Sequence, residues 1–141
     1  EFIEKTWIKN DVDAKQIGIE ILEEKSVINN ALIQERLIHL HEKGMSIIID
    51  DFGAECSNFA QLIDLPISIL KIDGMFIKDL PENEEHQIIC ESIITFATRL
   101  KIPTVAEFVH SQAVFEKVKD MGVVYAQGFH LGEPLPDLIK V

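Results

Sequence analysis

What most constrains the fold is a recurring unit: a short apolar, β-branched run that ends in a charged or amide residue, followed by a stretch with helical periodicity. Such runs end near residues 21, 49, 73, 106 and 126, so successive steps are 28, 24, 33 and 20 residues. This spacing suits consecutive βα units of about 30 residues. The runs have the character of strands buried on both faces of a parallel sheet. Carboxyl ends of such strands are where barrels and open α/β sheets gather their chemistry. Solvation would explain one or two polar strand ends; five in succession point to a site. An α/β fold with about five βα units is therefore expected over residues 1–141.

In chain order, residues 1–15 have the pattern of one helix carrying Phe2, Ile3, Trp7, Ile8 and Val12. Ile17 to Ile21 alternates as a strand, with Glu20 and Glu23 at its end. Ser26 is placed to cap a helix whose apolar positions run from Val27 to Leu40 and which Gly44 stops. The second strand is Ser46 to Ile49, with Asp50 and Asp51 where it runs out and Gly53 to turn the backbone away. A short helix ends at Leu65-Pro66, and the third strand runs from Ser68 to Asp73. Lys71 and Asp73, two apart, share a strand face and could pair, whether in a site or as a surface salt bridge. The longest helix spans Glu82 to Leu100, with Ile88, Ile89, Ile93, Phe96, Ala97 and Leu100 on one side. Thr104 to Ala106 is the fourth strand, ending at Glu107. Ser111 caps a helix through Met121. Val123 to Ala126 is the fifth strand, ending at Gln127-Gly128.

Asp50-Asp51-Phe52-Gly53 is the most chemical of these ends. Adjacent carboxylates repel, so a cation is expected nearby. Hard divalent ions such as Mg²⁺ or Mn²⁺ suit oxygen ligands, and two neighbouring acids can serve two metals or one metal and its water. The plain alternative is a turn that uses Asp for its side chain. With 24 acidic against 13 basic residues, the chain is a poor partner for a nucleic-acid polymer, although a small phosphate held through metal ions is allowed. Cys56 and Cys90 form no CxxC pair, which fits reduced thiols, no disulfide and a cytoplasmic setting. No run approaches the roughly 18 apolar residues of a membrane span, so no membrane contact is expected of this chain.

At these five strand ends the chain resembles the EAL family, bacterial phosphodiesterases that hydrolyse cyclic di-GMP. The family's Glu-x-Thr-Glu appears as Glu20-Ile21-Leu22-Glu23, Asp-Asp-Phe-Gly as Asp50 to Gly53, and Lys-Ile-Asp as Lys71 to Asp73. Ala-Glu-Gly-Val-Glu appears as Ala106-Glu107-Phe108-Val109-His110, and Gln-Gly-aromatic as Gln127-Gly128-Phe129. The resemblance implies a TIM-type βα barrel with two metal ions, Mg²⁺ or Mn²⁺, at its carboxyl face. It implies Glu20 and Asp50 on the first metal, Asp51 and Asp73 at the second, and Lys71 holding the attacking water. Glu107 would be the general base, with Glu23, Gln127 and His110 around the substrate or just outside the metals.

The family's first two motifs, Glu-Ala-Leu and an asparagine that also serve the first metal, do not occur in this sequence. At 141 residues, the chain is also short of the roughly 250 of a whole barrel. It is expected to be the C-terminal portion of a single EAL domain, a partial TIM-type barrel with little or no turnover alone. Within the motifs, Leu22 replaces threonine, Phe108 replaces glycine, His110 replaces glutamate, and the loop at 54–58 differs. These changes keep a second possibility open: a degenerate domain that binds cyclic di-GMP or a partner protein without cleaving. Open sheet edges would also favour self-association.

Overall fold

The computed structural model describes residues 2–24, 28, 30–54 and 59–136. Helix α1 (Phe2–Lys9) and a 3-10 turn (Ala14–Gln16) lead into strand β1 (Gly18–Leu22). The single helix expected over 1–15 is thus broken, and Asp11 takes a positive φ of 53° at the break. Asp tolerates left-handed geometry better than most residues. Helix α2 (Ala31–Glu42) and β2 (Ser46–Phe52) follow, then α3 (Phe59–Leu62) and β3 (Ile69–Ile72). Next come α4 (Gly74–Ile77), α5 (Glu84–Leu100), β4 (Thr104–Ala106), α6 (Gln112–Asp120) and β5 (Tyr125–Ala126).

All five strands are parallel and lie side by side in chain order, β1-β2-β3-β4-β5. A doubly wound sheet reverses its order at a switch point; an unbroken sequential order is the winding of a βα barrel. Among the described residues, β1 and β5 each have a neighbour on one side only.

The caps are local devices. Asn30 starts α2, its Oδ1 accepting the Leu32 and Ile33 amides at 3.0 and 3.3 Å. The expected cap at Ser26 lies outside the described residues. Asn83 starts α5 by accepting the His86 amide at 3.1 Å, and Ser111 starts α6 as expected, accepting from Val114 at 3.3 Å.

Ile47, Ile49, Leu70 and Ile72 are sealed from solvent beneath Ile93 and Ala97 of α5 and Val114 and Val118 of α6. Ile88, expected on the buried side of α5, is 63% exposed, and Ile89 also faces solvent. The inward stripe is Cys90, Ile93, Ile94 and Ala97, whose spacing of three and four residues makes one face of a helix. Among the described residues no helix is long and apolar enough to cross a membrane.

Candidate active site

Backbone pairing continues past the strand ends and holds the polar residues there. The amides of Glu23, Asp73, Glu107 and Gln127 donate to the carbonyls of Asp50, Phe52, Ile72 and Ala106 at 3.2, 3.3, 3.4 and 2.9 Å. Side chains from separate segments are thereby brought to one rim.

Strand β2 does not end before its acids, as the sequence suggested, but runs through both to Phe52. Three steps from Ile49 to Phe52 face two from Leu70 to Ile72, so β2 carries one extra residue there. Asp51 takes a φ of 53° at this bulge. Strict alternation would send Asp50 and Asp51 to opposite faces. With the bulge, Ile49 and Phe52 both enter the core while the two carboxylates leave it.

Lys71 supplies the cation that these acids call for. It is 8% exposed, and its Nζ lies 2.7 Å from Asp50 Oδ1, 2.8 Å from Glu107 Oε1 and 3.7 Å from Glu20 Oε2. Burial works against its charge, but the hydrogen bonds to Asp50 and Glu107 win, and its pKa stands above the ordinary lysine value. Glu107 is also shifted upward, whereas a simple ion pair would lower a carboxyl group. Burial is the main cause, Lys71 pulls the other way, and Asp50 and Asp51 add to the rise. Lys71 divides its field between two anions, so it stays protonated and only partly relieves Glu107. Asp51 is raised as well, by burial first and then by Asp50 and Asp73.

Carboxylate oxygens of Asp50, Asp51 and Glu107 lie within 4.8 Å of one another. Three acids against one ammonium leave excess negative charge on hard oxygen donors, which fits a divalent cation. Glu20 and Asp73, expected as ligands, stand outside this trio. The Glu20 carboxylate is 54% exposed and reaches Lys71. Asp73 Oδ1 caps α4 by accepting the Met75 amide at 2.8 Å. The pair expected between Lys71 and Asp73 is replaced, because the ammonium turns sideways to the ends of β2 and β4.

Glu23 is buried away from solvent, and its Oε2 accepts the Gly53 amide at 2.8 Å. Gly53 has a φ of 105°, and a Cβ there would meet Phe76 Cε2 at 2.9 Å, so the turn after the acids requires glycine. The loop at 55–58, Cys56 included, lies outside the described residues.

A cleft of about 570 Å³ opens beside the acids. Asp51, Asp73, Glu107, His110 and Gln127 line it, joined by Met75, Lys78, Phe108 and Phe129. Met75 and Lys78 were not singled out in the sequence: they belong to the turn of helix that Asp73 caps and its C-terminal boundary, and nothing local marks them. Phe129 was visible only as the aromatic of its motif. His110 donates from Nε2 to the Lys78 carbonyl at 2.8 Å, tying the segment after Glu107 to the end of α4. Phe108 carries a φ of 56°, a left-handed geometry that costs a residue with a Cβ about 1–2 kcal/mol.

The family model described as "EAL domain" matches residues 1–134. Cyclic di-GMP phosphodiesterase PdeB of Shewanella oneidensis is 35% identical over 136 residues, covering 96% of this chain and 16% of that protein. Among solved structures, a PaMucR phosphodiesterase in complex with c-di-GMP aligns with a TM-score of 0.88 at 30% identity, covering 95% of this chain and 54% of its own. A manganese/cy-diGMP complex of Klebsiella pneumoniae BlrP1 aligns with a TM-score of 0.82 at 26% identity, covering 91% and 33%. The chain therefore spans about half of one solved relative and under a fifth of the curated one.

Proposed function

The chain belongs to the EAL domain family, and from that premise we propose that it is the C-terminal portion of a metal-dependent domain that hydrolyses cyclic di-GMP to the linear dinucleotide. The observation that carries this reading is the Lys71 ammonium, 2.7 Å from Asp50 and 2.8 Å from Glu107 beside a nucleotide-sized cleft. Asp50 and Asp51 are the residues that would hold a divalent cation, with Glu20 and Asp73 at its margins and Glu107 beside it as the base. When bound, Mg²⁺ or Mn²⁺ supplies hydroxide at neutral pH and charge compensation at phosphorus.

The chain's own residues do the rest. Lys71 stays charged and orients water at the rim. Glu107, raised above the ordinary carboxylate value by burial, takes the proton at a carboxylate oxygen as water adds to phosphorus and passes it to the ribose oxygen released when one bridging ester bond breaks. Asp51, Asp73 and Gln127 line the space where the substrate sits. The free, buried thiol of Cys90 fits a reducing, cytoplasmic setting. With β1 and β5 each partnered on one side among the described residues, the isolated chain is expected to cleave slowly or not at all and to associate with further copies at high concentration. Gel filtration over a concentration series checks the association.

A second reading, a receptor that binds without cleaving, is favoured by Phe108 and by His110, whose Nε2 is engaged by the Lys78 carbonyl. Incubation with cyclic di-GMP and Mn²⁺, followed by chromatography for the linear dinucleotide, separates the two. Product that disappears in Glu107→Gln and Asp50→Asn supports the hydrolase. Binding without product, in this chain and in the complete domain alike, supports the receptor. Neither binding nor product in the complete domain would refute both.

A further inference from the structure

We propose that Phe108 is a stacking platform for a purine base of the bound nucleotide, making it a positioning and affinity-determining residue of this cleft; the proposal rests on the cleft being a cyclic dinucleotide site. Phe108 directly follows Glu107 and precedes Val109, which is fully buried, yet its own side chain is 60% exposed. It holds a left-handed backbone with φ of 56°, where glycine would fit without strain. Its Cβ also sits so close to Gly74 that a Cβ on Gly74 would come within 2.8 Å of it. The fold thus accepts strain at one residue and leaves out a side chain at another, and so places a ring that buries little of itself. Strain with so little packing in return, at the lip of a cleft, is explained by a ligand that covers the exposed part of the ring.

The surroundings fit a flat aromatic ligand. The Phe108 ring meets the His110 ring edge-on at 5.8 Å between centroids, and His110 is itself anchored to the Lys78 carbonyl at 2.8 Å, so the platform is braced from one side. Phe129, 73% exposed, lines the same cleft. Glu107, Asp51 and Asp73 line it too, so the rings share one cleft with carboxylates suited to a divalent cation, through which a phosphate would be held. Every base has a π-face to offer such a surface, and base–aromatic stacking commonly changes affinity by tenfold or more.

The test titrates the chain with cyclic di-GMP in the presence of Ca²⁺, following the guanine H8 proton for the base and the ³¹P resonance for the phosphate. Phe108→Gly and Phe108→Leu are expected to weaken binding about tenfold and to remove the upfield H8 shift, while Phe108→Trp keeps both. Because Phe108→Gly also relieves the backbone, its Tm should rise by about 3 °C, so weaker binding cannot be put down to misfolding. Unchanged affinity and H8 shift in Phe108→Gly, with binding lost in Asp50→Asn, would overturn the platform and leave the cyclic dinucleotide site standing. No H8 or ³¹P response from the unaltered chain would overturn that site and the platform with it.

Discussion

Glu23 and Gly53 are joined by one hydrogen bond across thirty residues, the Gly53 amide donating to Glu23 Oε2 at 2.8 Å. The bond ties the turn after Asp50-Asp51 to the segment that follows β1. Glu23→Ala leaves a part-buried amide unpaired and is expected to cost about 1–3 kcal/mol, with Glu23→Gln costing less because its carbonyl still accepts. Urea denaturation measures both, and hydrogen exchange at the Gly53 amide should quicken in Glu23→Ala. Unchanged exchange there would refute the anchoring role.

Lys71 sits between carboxylates that would otherwise face each other. Its side chain and those of Asp50 and Glu107 are all mostly buried, so Lys71→Met is expected to destabilise the chain by about 3–5 kcal/mol. Added Mg²⁺ should then raise the Tm of the variant more than that of the parent, since the ion takes over the lost charge. Equal Mg²⁺ responses in thermal melts would count against a cation site at these acids.

Gly128 packs against the backbone of Val109 so closely that a Cβ would overlap the Val109 carbonyl and amide. Gly128→Ala should cost at least about 1–3 kcal/mol, the usual penalty of overpacking, and shift Gln127 at the cleft. Gly132 has nothing within 4 Å of a built Cβ, so Gly132→Ala is the matched control and should leave the Tm in place.

Asp79 and His86 form a pH-dependent contact, with Asp79 Oδ1 2.6 Å from His86 Nδ1. Desolvation opposes the shift, but the His86 ring and the Asn83 amide together outweigh it and hold Asp79 below its ordinary value of 3.8. A depressed folded-state pKa contributes stability above the unfolded value, and that contribution fades as pH falls through the folded one. As pH falls below the ordinary carboxyl value of 3.8, the parent should therefore lose an increment of Tm that His86→Phe lacks. Parallel Tm curves for the two proteins would refute the coupling.

Cys90 is buried, and its thiol is pushed up to about 12, by burial first and by Glu91 second. Iodoacetamide at mildly alkaline pH should label it slowly in the folded chain and quickly in urea. Peptide mapping by mass spectrometry distinguishes this site from Cys56, and rapid labelling of Cys90 in the folded chain would contradict its burial.

Much of the fold was legible locally. The fourth strand and the Ser111 cap stand where a short β-branched run and a cap residue place them, because both depend on neighbours a few residues away. On the inward face of α5, Ile93, Phe96 and Ala97 stand as expected, but Ile88 and Ile89 give way to Cys90 and Ile94, since both sets suit a helix and only contact with the rest of the core selects between them. The bulge at Asp51 was not visible either: it is defined by pairing with Leu70 and Ile72, some twenty residues on.

By itself, then, the sequence determined the alternation of strands and helices and the kinds of group at each strand end, through short-range periodicity and chemistry. Tertiary structure decided which of those groups meet. Lys71 turned from Asp73, two residues away, to Asp50 and Glu107 on separate segments, and Glu107 rather than Glu20 joined the two aspartates. The reason is that strand register and the bulge set the distances between charges, and a buried ammonium settles where two carboxylates can both reach it.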